Sequence, residues 1–136
     1  MKRILAVDDD PKILEALSAA LATKRYEVVT INNSDAALKL IQEQPFDLVL
    51  LDLFMPGKNG FDLYREFAPT QNIPVLFVSG YSQSFSPSSS GFRELWTEQF
   101  SLGQTDILYK PFRLASLFEK VEALIGTAEV AANGNR

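Results

Sequence analysis

The chain has 136 residues, 46% of them hydrophobic and 22% charged, which fits one globular domain and excludes a disordered tail, a fibre or a coiled coil. Thirteen basic residues against 17 acidic ones leave a net charge of −4, so no basic footprint invites nucleic acid or an anionic membrane. With no Cys and no His, disulfides, thiolate chemistry, most structural zinc sites and the commonest general base are all excluded.

Met1-Lys2-Arg3 mimics the start of a signal peptide, yet the apolar run behind it, Ile4 to Val7, is too short and ends in three aspartates. No run approaches the ~20 apolar residues of a membrane span. The expected setting is cytoplasmic, without membrane insertion. The chemistry is left to carboxylates, hydroxyls and amines.

Short apolar runs alternate with helix-period segments five times. Ile4 to Val7 is predicted as a buried strand. Asp10-Pro11 then supplies an N-cap followed by proline at the first helical position, with Ile13, Leu14, Leu17 and Leu21 at helical spacing. Glu27 to Ile31 predicts a second strand, and Ser34 is expected to cap a helix carrying Ala37, Leu38 and Ile41. Leu48 to Leu51 is a third strand, apolar throughout. The turn Met55 to Gly60 follows, then a helix with Leu63, Tyr64 and Phe67 inward. Val75 to Val78 is the fourth strand, and Phe92, Leu95, Trp96, Gln99 and Phe100 stripe a fourth helix. Ile107 to Tyr109 is a short fifth strand. Leu114, Leu117, Phe118, Val121, Leu124 and Ile125 line the last helix.

Strands apolar at every position are buried on both faces, so helices must cover both sides. Strands alternating with helices make right-handed βαβ units. The predicted fold is α/β, a doubly wound (βα)5 parallel sheet. Residues 1–126 form one domain. A serine-rich insertion at 82–90 separates the fourth strand from the fourth helix, and 127–136 is a polar tail expected to fray.

In open parallel sheets, ligands bind beyond the carboxyl ends of the strands. The first strand ends in Asp8, Asp9 and Asp10, the third in Asp52, the fourth in Ser79-Gly80 and the fifth in Lys110-Pro111. Two carboxylates ~4 Å apart repel by roughly 4 kcal/mol at an effective dielectric of about 20, so they stay ionised together only around a cation. Oxygen-only ligands favour a hard ion, Mg²⁺ above others. Lys110 and Ser79 add one positive charge and one hydroxyl, groups suited to phosphoryl oxygens. Asp10 is explained by capping alone. Asp8-Asp9 and Asp52 are not, and the four strand ends together imply a site that moves or holds a phosphoryl group.

The strings Ile4 to Asp10, Asp52-Leu53-Phe54-Met55-Pro56-Gly57-Lys58-Asn59-Gly60, Pro74 to Gly80 and Lys110-Pro111-Phe112 resemble the receiver domain of two-component response regulators, from about Arg3 to Ile125. The resemblance implies the flavodoxin-like strand order 2-1-3-4-5, whose switch point lies between strands 1 and 3. It implies that Asp52 accepts a phosphoryl group from a phosphohistidine. Asp9 and Asp52 would ligate Mg²⁺ directly, Asp8 through a metal-bound water, and Phe54 through its backbone carbonyl; no organic cofactor is implied. Ser79 would be the switch hydroxyl and Lys110 the phosphoryl partner, with a cis bond to Pro111.

The implied partners are a sensor histidine kinase or phosphotransfer protein and a downstream protein target. A homodimer through the fourth and fifth helices is also implied. The domain would be a signalling phosphoacceptor, assisting its own phosphorylation and dephosphorylation, rather than an enzyme. No effector domain is expected within this sequence, and both a stand-alone regulator and a receiver cut from a longer protein fit. Ile107 stands where the family usually has a switch aromatic, and Tyr109, expected on the opposite strand face, is not a substitute. Bulky Phe54 and Tyr81 occupy two positions that, by the resemblance, flank the phosphosite, which predicts a shielded, long-lived phosphoryl group. Two other readings are a receiver-like interaction module that takes no phosphate, and a haloacid-dehalogenase-like phosphatase with Asp8 as nucleophile and Asp10 as general acid.

Overall fold

The apolar content of the strands decides the layering. The computed structural model describes residues 1–55, 59–80 and 105–127. It holds β1 (Arg3–Val7), α1 (Pro11–Ala22), β2 (Glu27–Ile31), α2 (Ser34–Glu43), β3 (Leu48–Asp52), α3 (Gly60–Phe67), β4 (Val75–Gly80), β5 (Thr105–Lys110) and α4 (Leu114–Ile125). The five strands form one parallel sheet in the order β2-β1-β3-β4-β5. This is the expected doubly wound arrangement. The predicted helix at Phe92–Phe100, the serine-rich segment, Tyr81, Pro56 to Lys58 and the tail beyond Thr127 lie outside the described residues. α4 is therefore the helix predicted as the fifth.

Alternation along the strands sorts two cores. Leu5, Val7, Val49, Leu51, Val75 and Phe77 face α2 and α3. Ile4, Ala6, Leu48, Leu50, Leu76 and Leu108 face α1 and α4. β3 is buried at all five positions, as a central strand covered on both faces must be. Phe77 is fully buried and meets the rings of Phe61 and Tyr64 at 5.6 and 5.5 Å; Phe77→Ala is expected to cost about 3–5 kcal/mol.

Local chemistry sets the helix starts. Asp10 caps α1, its carboxylate accepting from the Lys12 N–H, with Pro11 at the first helical position. The cap of α2 corrects the expectation for Ser34. Asn33 is the N-cap, its side chain accepting from the Ala36 N–H at 2.9 Å, and Ser34 is the first helical residue. Asn caps as well as Ser does, so two adjacent candidates are separated only by backbone conformation, and Asn33 is the extended one (φ −145°, ψ 131°). On α4, Leu117 and Val121 are buried, but Leu114 is 53% exposed. The apolar stripe therefore begins one turn later than predicted.

The amino-terminal end of the sheet is tied by Arg3. Its guanidinium donates to Glu27 Oε2, Pro45 O and Gln44 Oε1, each at 3.0 Å, and lies 4.8 Å from the Phe46 ring centre. The same end receives the last turn of α4. Tyr26 donates its hydroxyl to Gly126 O at 2.8 Å, and the Lys2 ammonium donates to Ile125 O. Gly126 takes φ +76°, a conformation open to glycine at little cost, and so lets α4 stop against this pair.

Candidate functional site

Parallel strands deliver their last residues to one rim, and three of those ends supply charge. Asp8 and Asp52 are 1% and 3% exposed, while Asp9 beside them is exposed. One carboxylate oxygen from each of the three lies within 4.8 Å of the others. Lys110 enters from β5. Its Nζ stands 3.1 Å from Asp8 Oδ2 and 3.7 Å from Asp52 Oδ1. Two backbone donors complete the setting, the Asp10 N–H to Asp8 Oδ1 at 2.9 Å and the Phe54 N–H to Asp52 Oδ1 at 3.3 Å.

The site carries three carboxylates against one ammonium. Burial, and then the neighbouring Asp8 charge, push the Asp52 carboxyl up from 3.8 to about 7. Lys110 and the Phe54 N–H pull the other way without matching them. A buried carboxylate so displaced is short of positive charge. The donor set fits a divalent cation of the hard class: every side-chain donor is a carboxylate oxygen, and the chain has no softer imidazole or thiolate to compete.

The other predicted site residues fall as follows. Ser79 is fully buried at the end of β4, its hydroxyl donating to Gly80 O at 3.0 Å. It is thus next to the rim but engaged with its own strand. Phe54 follows Asp52 by two residues and is 44% exposed. The Lys110–Pro111 bond is cis. Asp10 caps α1, one of its carboxylate oxygens accepting from the Lys12 N–H at 2.9 Å. Ile107 packs against the α2–α3 core. Residues two apart on a strand share a face, so Tyr109 lies on the same face as Ile107, which corrects the opposite-face expectation. One residue missed by reasoning on charge is Gly60, whose backbone stands against that of Asp52.

The family model of the response regulator receiver domain matches residues 4–122, and the chain belongs to that family. It is 34% identical over 123 residues to the regulatory protein VanRB of Enterococcus faecalis, covering 90% of this chain and 52% of that protein. The chain thus spans about half the length of the curated relatives it matches. The response regulator TrrA of Thermotoga maritima, solved in complex with Mg²⁺ and BeF, is 33% identical with a TM-score of 0.75, covering 91% of this chain and 99% of that one. TrrA solved with the histidine kinase ThkA gives 32% and 0.75, covering 92% and 99%. The chain is therefore a signalling module of two-component systems. No helix among the described residues is long and apolar enough to cross a membrane.

Proposed function

We propose that Asp52 is the phosphoacceptor of this receiver and that phosphorylation changes its affinity for a downstream protein. The observation that carries this is the grouping of Asp8, Asp9 and Asp52 around one lysine at the strand rim. An Asp52 carboxylate oxygen attacks the phosphorus of a kinase phosphohistidine. The new P–O bond forms as the P–N bond breaks, and the imidazole leaves with the electron pair and takes up a proton from water. Phosphoryl transfer needs positioning and charge neutralisation more than covalent help.

Asp9 and Asp52 would hold Mg²⁺ directly, with Asp8 through a water and Phe54 through its carbonyl. Bound there, the cation supplies charge neutralisation at the phosphoryl oxygens. Lys110 keeps its place near Asp52 Oδ1 and neutralises a phosphoryl oxygen. Ser79 must release Gly80 O to donate to the same group. No substrate other than this phosphoryl group is required. The chain is thus a switch in the cytoplasm, with a histidine kinase or phosphotransfer protein upstream and residues 1–126 as the receiver unit.

The test is incubation with Mg²⁺ and acetyl phosphate followed by intact mass. One added phosphoryl group in the wild type, lost in Asp52→Asn, is expected. An adduct that persists in Asp52→Asn would overturn the assignment. No adduct from acetyl phosphate, together with no spectral change on adding beryllofluoride, would favour the interaction module.

A further inference from the structure

α3 begins in unusually close contact with the backbone of the acceptor. A Cβ on Gly60 would stand 2.5 Å from Asp52 O, 3.0 Å from Leu53 Cα and 3.1 Å from Asp52 C. All three are main-chain atoms, so no side-chain rotation can make room. The Gly60 N–H also donates to Leu53 O at 3.2 Å.

Neither side of this contact can retreat. β3 is hydrogen-bonded on both edges, to β1 and β4, and the Leu53 N–H donates to Val78 O at 3.1 Å. α3 is fixed by Asn59, whose side chain accepts from the Asp62 N–H at 2.9 Å, and by buried Phe61, Leu63 and Phe67. Gly60 is the first residue of α3, directly after the Asn59 cap, so the close main-chain approach falls where the helix starts.

We propose that Gly60 is a positioning residue for Asp52. Its bare Cα lets α3 brace the acceptor's backbone from behind, which holds the carboxylate in register with Lys110, Asp8 and Asp9. The proposal rests on Asp52 being the acceptor. Gly60 touches no reacting atom.

The test compares Gly60→Ala with Asn59→Ala, which removes the α3 cap without adding a clash. Thermal unfolding, Mg²⁺ affinity by calorimetry and acetyl phosphate kinetics would be recorded for both. In Gly60→Ala the maximal rate of phosphorylation should fall by at least about tenfold, with the donor concentration for half-maximal rate little changed, because a small misplacement acts on the reacting geometry. Mg²⁺ affinity should fall with it, whereas Asn59→Ala, which leaves buried Phe61, Leu63 and Phe67 to hold α3, should lose far less of either. Wild-type rate and Mg²⁺ affinity in a folded Gly60→Ala protein would overturn the proposal, as would equal losses in Asn59→Ala.

Should Gly60→Ala fail to fold, a Mg²⁺ titration of the wild type followed by amide NMR decides instead. The Gly60 amide must shift together with those of Leu53 and Phe54; a silent Gly60 amide would refute the brace. A wild type that accepts no phosphoryl group would sink the Asp52 reading alone, and the Mg²⁺ measurements would still judge Gly60.

Discussion

Lys110 Nζ lies closer to Asp8 Oδ2, at 3.1 Å, than to Asp52 Oδ1, at 3.7 Å. The lysine is therefore anchored on the first strand while it faces the third. Asp8 acts as a holder for the ammonium, and Asp52 keeps an oxygen within reach of it without being consumed by it. Removing the lysine leaves two buried carboxylates facing each other. Lys110→Met is expected to lose about 2 kcal/mol of stability near neutral pH, because breaking a buried pair strands the remaining charge. Chemical denaturation would measure it. Saturating Mg²⁺ should recover much of the loss, and Asp8→Asn in the same background should recover part of it, so the two substitutions are not additive.

The raised carboxyl of Asp52 makes stability depend on pH. Its folded value of about 7 stands above the ordinary 3.8, so between those values the folded protein keeps a proton that the unfolded chain has released. Stability from this group is complete below the unfolded value and is lost as pH rises through the folded one. Asp52→Asn should remove that slope and be more stable than the wild type at about pH 8 in the absence of divalent cations. Unfolding midpoints of both proteins between about pH 4.5 and 8 give the difference curve. A flat difference would mean that Asp52 titrates normally.

Phe54 is exposed two residues past Asp52, the proposed acceptor, and is expected to screen a phosphoryl group there from water. Phe54→Ala should shorten the lifetime of the phosphorylated protein several-fold, because access of hydrolytic water rises. Loss of the added mass with time, measured after removal of the donor, is the readout. Combining it with Tyr81→Ala should shorten the lifetime further, and equal lifetimes in wild type and double variant would contradict the shielding.

Tyr26→Phe deletes the hydroxyl that donates to Gly126 O. The expected cost is about 1 kcal/mol, with faster hydrogen exchange confined to the last turn of α4. Burial, with Glu122 adding to it, raises the phenol above its ordinary 10, so the hydroxyl remains a donor across the neutral range. Its stabilising share is complete below the ordinary value of 10 and is lost as alkaline pH rises from there through the raised one.

Arg25 adopts φ 67° in the turn after α1, a left-handed conformation that strains any residue with a Cβ. Arg25→Gly relieves that strain and is expected to be neutral to stabilising, by up to about 1 kcal/mol. A clear loss in thermal stability would show that the arginine side chain contributes more than its backbone costs.

The rim was legible because strand ends are sites by topology and because adjacent acids have few structural reasons to occur together. Asp8, Asp9, Asp52 and Lys110 could be read that way from their order alone. The hydroxyl of Ser79 could not, since its present partner is a carbonyl one residue along and composition holds no record of a rotamer. Boundaries slipped where chemistry was degenerate. Asn33 and Ser34 are both good caps, β4 runs two residues past Val78, and β5 starts two residues before Ile107. Gly60 was visible as part of a motif, but its close approach to Asp52 depends on where α3 lands, which no local pattern states. Arg3 likewise stood out only in the mimic of a signal-peptide start, whereas it gathers Glu27 and the segment Gln44 to Phe46, both far from it in the chain.

α4 leaves the rim three residues after the cis bond at Pro111 and ends on Lys2 and Tyr26 at the opposite edge of the sheet. Its 12 residues make a rod about 18 Å long. The far end is pinned, while the near end has no side-chain cap at Arg113 and shows Leu114 to solvent. Leu117 and Val121 hold the middle of the rod in the core. A single helix thus joins the segment that follows Lys110 to the starts of the first two strands, and of its two ends the one at Arg113 is the less restrained.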